Sequence, residues 1–296
     1  MLYYFIINGR SDKSHIRPEL DGMLEGVDIE RQFFVSRGLG DATRFVNMHC
    51  DLNPKDEVCF VACGGAGTAN EVASALAGRE NKYLAILNFG GTNDYTKCYP
   101  ERDFHSLKAL LAGERKKVDI IRANDNFSLN LIEFGLGAYA AVLADYNIRK
   151  GVENAYKKAV LSSLFRYRYN RMTVYADGER MNRRAVLLGT LANGKYSAGR
   201  YLSAPRAVDD DGLMEVMVMK PMILAFVAIV IRKYEKGLHL DNWFCRLFIK
   251  YRRARHVELK SNDLIYLSLD GEIIASSSFR IDVLEKSITL ILPKAE

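Results

Sequence analysis

Residues 61–72 read Val61-Ala62-Cys63-Gly64-Gly65-Ala66-Gly67-Thr68-Ala69-Asn70-Glu71-Val72, an apolar strand that passes through three glycines into a helix. Glycine lets a backbone approach a phosphate closely, and a helix N-terminus offers unpaired N–H groups and positive potential. Thr68 is placed to cap the helix and to touch a phosphate. The spacing is neither GxGxxG nor GxxxxGK followed by Ser or Thr, so the dinucleotide and P-loop readings fail. A tight strand-to-helix turn also needs glycine, so this stretch gains meaning from its neighbours.

On either side of it, strand and helix patterns alternate. Strands read at Leu2–Ile7, Glu30–Val35, Glu57–Ala62, Tyr83–Asn88 and Lys117–Ile121. Helical periodicity lies between them at Asp41–Met48, Thr68–Leu76 and Phe104–Leu111. Short apolar strands separated by helices predict a doubly wound, mostly parallel sheet. From Phe127 the texture changes to consecutive strands, with Asp177-Gly178 and Asp270-Gly271 as hairpin signals. An α/β N-terminal domain followed by a β-rich, antiparallel, sandwich-like domain is the expectation. Phe127–Phe134, Met172–Ala176, Arg184–Ala192, Leu213–Met219, Val257–Lys260 and Leu264–Leu269 read as strands of the second domain. Tyr139–Ile148, Glu153–Arg168 and Met222–Lys236 read as its helices.

In a doubly wound sheet, loops after neighbouring strands share the ligand-binding edge. Gly90-Gly91-Thr92-Asn93-Asp94 follows the fourth strand and can face the same polyphosphate as Gly64–Thr68. Ser36-Arg37-Gly38-Leu39-Gly40 is a third loop of this kind. Helix or turn capping is the ordinary role of Asn93 and Asp94.

With 296 residues the chain suits two domains, and 49% apolar with 26% charged residues excludes a disordered or fibrous protein. Its five cysteines make no CxxC pair and no zinc spacing, which favours reduced thiols. The longest apolar run, Met222–Ile231, is half of the ~20 residues that cross a bilayer, and no leader is recognised at the N-terminus. A cytoplasmic protein is expected. The net charge of +6 includes a dense run at Arg246–His256, beside Trp243 and Phe244. A solvated basic face and core aromatics are the ordinary reading, and docking on anionic lipid the sharper one. No zinc finger or RNP-like segment supports nucleic acid.

Together these segments resemble the diacylglycerol kinase catalytic-domain family, specifically its bacterial soluble lipid kinases. The family's GGDGTxNEV loop is matched by GGAGTANEV at residues 64–72, and its GTxND or GSGND loop by Gly90–Asp94. Asn130 with Phe134-Gly135-Leu136-Gly137-Ala138, PRAVDDDGLMEV at residues 205–216, and Asp270-Gly271-Glu272 match further family motifs in order. The resemblance spans nearly the whole chain. It implies an ATP-binding domain over residues 1–120 plus about 282–296, and a substrate- and lipid-facing domain over 121–281.

By resemblance, the activity is ATP- and Mg²⁺-dependent phosphorylation of diacylglycerol to phosphatidate, at the inner membrane surface. The nucleotide site would comprise Asn8, Ser36, Gly64, Gly65, Ala66, Gly67, Thr68, Asn70, Glu71, Gly90, Gly91, Thr92 and Asn93. Asp270 would be the base, Glu272 its neighbour on one strand face, and Asp94 a carboxylate reaching Mg²⁺ through water. A structural Mg²⁺ would sit on Asp211 and the carbonyls of Val208 and Leu213. The partners implied are ATP, a diacylglycerol-like lipid and a transient anionic membrane surface, with a homodimer as a further option.

Three departures qualify this. The family's Asp is Ala66 here, and its second-loop hydroxyl residue is Gly91; Asn8-Gly9-Arg10-Ser11 also replaces an Asn-Pro turn. A catalytically inactive nucleotide- or lipid-binding relative, or a kinase of a sphingoid base or NAD, are the alternatives.

Overall fold

Strand-helix alternation builds the N-terminal part of a computed structural model that describes residues 1–9, 14–89, 93–166, 171–183 and 185–295. The elements run β1 (Leu2–Asn8), α1 (Ile16–Met23), β2 (Arg31–Ser36), α2 (Asp41–Leu52), β3 (Val58–Gly64), α3 (Ala66–Leu76), β4 (Lys82–Asn88), α4 (Leu107–Leu111) and β5 (Glu114–Ala123). They continue with β6 (Asn126–Ser128), β7 (Leu131–Gly135), α5 (Leu136–Arg149), α6 (Ala155–Arg166), β8 (Met172–Ala176), β9 (Glu179–Arg180), β10 (Leu188–Ala192) and β11 (Met214–Met219). The last are α7 (Leu224–Glu235), α8 (Trp243–Arg246), β12 (Ile249–Ala254), β13 (His256–Leu269) and β14 (Glu272–Leu292). The chain divides into two units. The first is Met1–Ile120 with Asp209–Asp211 and Leu284–Glu296, and the second is Ile121–Val208 with Gly212–Val283.

In the first unit β1 pairs in parallel with β2 and β3, β3 with β4, and β4 with Thr289–Ile291 at the end of β14. β3 and β4 are buried along their whole length, as central strands of a parallel sheet must be. β2 stands at the edge and is largely exposed. Helix α1 was not legible in the sequence, because Pro18 and Gly22 fall inside it. Pro18 is its third residue, where an N–H has no intrahelical partner, so the missing donor costs little. The helix read over Phe104–Leu111 shortens to α4, because Ser106 caps it by accepting from Ala109 N–H at 3.1 Å.

The second unit is antiparallel, in the order β12-β11-β10-β7-β13-β14. β13 also pairs with β8 through residues 257–261, then with β7 through 267–269. It is therefore one long strand, irregular between Lys260 and Ile265, where two strands were expected. Conversely, the strand expected over Phe127–Phe134 breaks into β6 and β7 around Leu129-Asn130. The basic run after Arg246 is not simply a solvated face, since it contains β12, whose ends Ile249 and Ala254 are buried. The expected Asp-Gly turns form, with φ of 47° and 79° at Asp177-Gly178 and 48° and 97° at Asp270-Gly271.

His239 is fully buried, its ring 4.7 Å from that of Tyr234, and burial pushes its pKa down to about 4. The unfolded chain therefore binds a proton that the folded one refuses, and stability falls as pH drops from about 6.5 towards about 4. We expect a loss of about 2 kcal/mol between pH 7 and about pH 5. Thermal melting of His239→Gln should show a flatter pH dependence; an unchanged slope would assign the acid sensitivity elsewhere.

Candidate functional site

The strand order β2-β1-β3-β4 places the topological switch between β1 and β3, where open α/β sheets bind ligands outside the carboxyl ends of their strands. The two loops that leave this edge are close. A Cβ built on Gly64 would lie 3.3 Å from the Asn8 Cβ and 2.6 Å from Thr68 Oγ1. Gly64 is thus required by packing. Gly65 and Gly67 differ: among the described residues, a Cβ on either meets nothing within 4 Å.

Gly65 is the N-cap of α3 in extended conformation, and the first intrahelical bond runs from Ala69 N–H to its carbonyl at 3.2 Å. The N–H groups of Ala66, Gly67 and Thr68 belong to the turn that the helix itself leaves unpaired. No acidic residue occupies this turn, so nothing competes with an incoming anion. Thr68 is the third helical residue and buried, not the cap, and packs its hydroxyl over Gly64.

The other nucleotide-site residues serve the frame in part. Ser36 ends β2 and donates to the Ile7 carbonyl at 3.3 Å. Asn70 is buried in α3, and Ser74 donates to its carbonyl at 2.7 Å. Glu71 accepts from Ala42 N–H at 3.1 Å, so its carboxylate caps the start of α2. Asn93 accepts from Tyr95 N–H at 3.2 Å, and its buried Nδ2 has no partner among the described residues. Asp94 pairs with Lys97 at 2.7 Å. Gly90, Gly91 and Thr92 lie outside the described residues, as do Arg10 and Ser11.

Asp270 is organised within the second unit. Its carboxylate accepts from Ser128 Oγ at 2.9 Å and from the N–H groups of Asn130 and Leu131 at 3.0 Å each. Burial raises its pKa while these donors oppose the shift. The β6–β7 break thus creates a nest for one carboxylate. Asn130 donates its Nδ2 to the Tyr196 carbonyl at 3.0 Å, leaving a buried Oδ1 without a partner among the described residues. Glu272 does not share a strand with Asp270. The aspartate occupies the turn, and Glu272 opens β14 opposite Leu269.

The same unit holds an apolar cavity of about 80 Å³ between α5, α6, α7 and strands β10 and β11, lined by Leu136, Ala140, Leu188, Met219, Val227 and Val230. Glu133, Ser197, Tyr201 and Tyr234 supply its polar edge.

The acidic loop is tied down through Asp209. Asp209 is buried and accepts from Tyr95 OH at 2.7 Å and from Tyr99 OH. Lys116 Nζ lies 2.7 Å from Asp209 and 3.3 Å from Asp210. Burial works against the Lys116 charge, yet the two aspartates outweigh it and its pKa is raised. Burial also pushes the Tyr95 and Tyr99 hydroxyls up, with Asp209 adding to it. Asp211 belongs to the first unit, and Val208 and Leu213 to the second. The sequence singled out the aspartates but not Lys116, Tyr95 or Tyr99, which carry no motif and meet them only through the fold.

No group of three or more His, Cys, Asp or Glu among the described residues is disposed to hold a metal. Position 66 offers a methyl group and Asp94 has an ammonium partner at 2.7 Å, so among the described residues these two positions do not form a carboxylate pair free for Mg²⁺.

Comparison with known proteins agrees with this architecture. Residues 3–123 match the diacylglycerol kinase catalytic domain, and residues 130–292 the YegS C-terminal NAD kinase beta sandwich-like domain. A probable lipid kinase YegS-like of Shewanella frigidimarina is 27% identical over 301 residues, covering 95% of this chain and 94% of its own. One from Xanthomonas oryzae pv. oryzae is 28% identical, covering 97% and 95%. Among solved structures, a putative diacylglycerol kinase from Bacillus anthracis superposes with a TM-score of 0.74 at 20% identity, covering 98% and 94%. An NAD kinase from Archaeoglobus fulgidus in complex with ATP gives 0.52 at 14% identity, covering 98% and 93%, and shares the fold.

Proposed function

The chain belongs to the lipid kinase family that joins a diacylglycerol kinase catalytic domain to a YegS C-terminal domain, and from this premise we propose that it transfers the γ-phosphoryl group of ATP to the hydroxyl of diacylglycerol. The observation that carries the reading is the open α3 N-terminus at the β1–β3 switch, unobstructed at Gly65 and Gly67. Its N–H groups would hold phosphate oxygens, and Asn93 Nδ2 adds a donor in the same unit. The Asp270 carboxylate takes the proton from the lipid hydroxyl as the new oxygen–phosphorus bond forms and ADP leaves. Its raised pKa suits a proton acceptor, and Ser128, Asn130 and Leu131 fix its orientation. The apolar cavity supports an apolar portion of the substrate. Mg²⁺ enters this reading with the phosphates of ATP, and the protein would work at an anionic membrane surface.

Titration with ATP tests the nucleotide half. Gly65→Val places a side chain over the helix N-terminus, and its Cβ meets no atom of the described residues within 4 Å. We expect melting to shift little and ATP affinity to fall at least about tenfold, the loss of one or more charge-assisted hydrogen bonds. Wild-type affinity in the folded variant would remove this loop from the site. The substrate half is tested by ATP-dependent phosphorylation of diacylglycerol in mixed micelles.

A further inference from the structure

Six cations line two adjoining grooves on the second unit: Arg171, Arg180 and Arg183 with Lys220, Arg246 and Lys250. All six are exposed, and no carboxylate among the described residues lines either groove. The nearby Glu179 is engaged by Arg252. Lys250 donates to the Arg180 carbonyl at 2.8 Å, which ties β12 to β9, and Lys220 lies 5.3 Å from the ring of Phe248, just before β12.

Large apolar side chains stand out beside these charges. Leu247, 54% exposed, lines the larger groove, and Trp243, 74% exposed, precedes it by one helical turn on the same face. Phe244 packs on Phe226 and Phe248 beneath them, so Trp243 is not the core aromatic that the sequence favoured. Through that packing the start of α7 adds Ile223, 63% exposed, and Leu224. An isolated exposed leucine means little, but a cluster of apolar side chains bordered by one sign of charge marks an interaction surface. Single-stranded nucleic acid stacks bases on an exposed tryptophan but gains nothing from protruding Leu and Ile. An interface of anionic headgroups above hydrocarbon uses both halves.

We infer that this face, with Trp243 and Leu247 inserting and Arg180, Arg183, Lys220, Arg246 and Lys250 meeting phosphates, docks the protein on an anionic phospholipid bilayer. The inference deepens the lipid kinase reading by naming the surface, and it rests on that reading only for its purpose. Arg171 extends the charged rim, and the run Arg252–Arg253 does not belong to the docking set. Arg252 pairs with Glu179 and Arg253 with Glu215.

Trp243 is the only tryptophan, so its emission reports on this face alone. The full chain is mixed, without ATP, with vesicles of phosphatidylcholine or of phosphatidylcholine rich in phosphatidylglycerol. A blue shift and quenching by brominated acyl chains are expected with the anionic vesicles only, reversed by added salt. Replacing Arg180, Lys220 and Arg246 together by Ala should weaken vesicle binding about 100-fold, at about fivefold per cation. Trp243→Ala should weaken sedimentation with the vesicles. Binding with unchanged Trp243 emission would overturn the inference by moving docking to another face. So would equal binding to neutral vesicles, or binding of single-stranded RNA with no binding of vesicles. Failure of diacylglycerol phosphorylation with normal docking would count against the substrate and leave this surface standing; the reverse pattern would sink the surface alone.

Discussion

Ala66→Asp is expected to raise the rate of ATP-dependent diacylglycerol phosphorylation by on the order of 10²–10³-fold, the usual worth of one preorganised charged or polar group in a transfer site. Phosphoryl transfer relies on positioning and charge balance rather than on covalent chemistry by the protein. Position 66 is the first residue of α3, partly exposed, in the stretch where the resemblance expects a carboxylate. The carboxylates of the flanking segments are already committed, Asp94 to Lys97 and Glu71 to the start of α2. The substitution is gentle, because Asp in a first helical turn is favoured by about 0.3–1 kcal/mol. The measurement is initial rate in mixed micelles at matched protein and Mg²⁺ concentrations, with Asp270→Asn in the same background as control. Equal rates for the natural chain and Ala66→Asp would make residue 66 irrelevant. Undiminished turnover in Asp270→Asn would remove that residue as the base.

The second large effect concerns stability. Asp209→Asn should lower the free energy of unfolding by about 1–3 kcal/mol, because it leaves the half-buried Lys116 ammonium with Asp210 alone. Two tyrosine hydroxyls lose their charged acceptor in the same step. For a chain of this size that corresponds to roughly 2–4 °C of melting temperature per kcal/mol. Lys116→Met should be destabilising too, and the double variant should cost less than the sum, since the two groups form one network. Chelating divalent metal is expected to lower melting far less than Asp209→Asn does, because Lys116 already supplies positive charge to the loop. A larger loss on chelation would favour an ion on Asp211 instead. Full additivity of the two substitutions would dissolve the network.

The legible parts of this molecule are those whose physics is local. β3 and β4 announced themselves as apolar runs because a parallel sheet buries both faces, and the two Asp-Gly pairs announced their turns because positive φ selects those residues. The glycine stretch at 64–67 was readable as a close-approach loop, though not that Gly64 answers to Thr68 while Gly65 and Gly67 leave open space. What escaped was set by partners far along the chain. Lys116 finds Asp209 across 93 residues, and Asp270 finds the β6–β7 break across 140. Periodicity misled where a strand bends, as in β13, and where proline sits harmlessly in a first turn, as in α1.

Strand β14 gives the chain a birth-order problem. The open edge of β4 at Tyr83–Ala85 is closed by Thr289–Ile291, which a ribosome adds about 200 residues later. At typical synthesis speeds, the roughly 200 intervening residues take about 10–40 s to emerge. Throughout that interval the nascent first unit exposes the bare rim of a wholly buried strand, the kind of template on which neighbouring chains stack. Its completion waits for these residues, so a chain cut before Thr289 should be made at normal rate and then lost to clumping or proteolysis, with every motif of the phosphate loop intact.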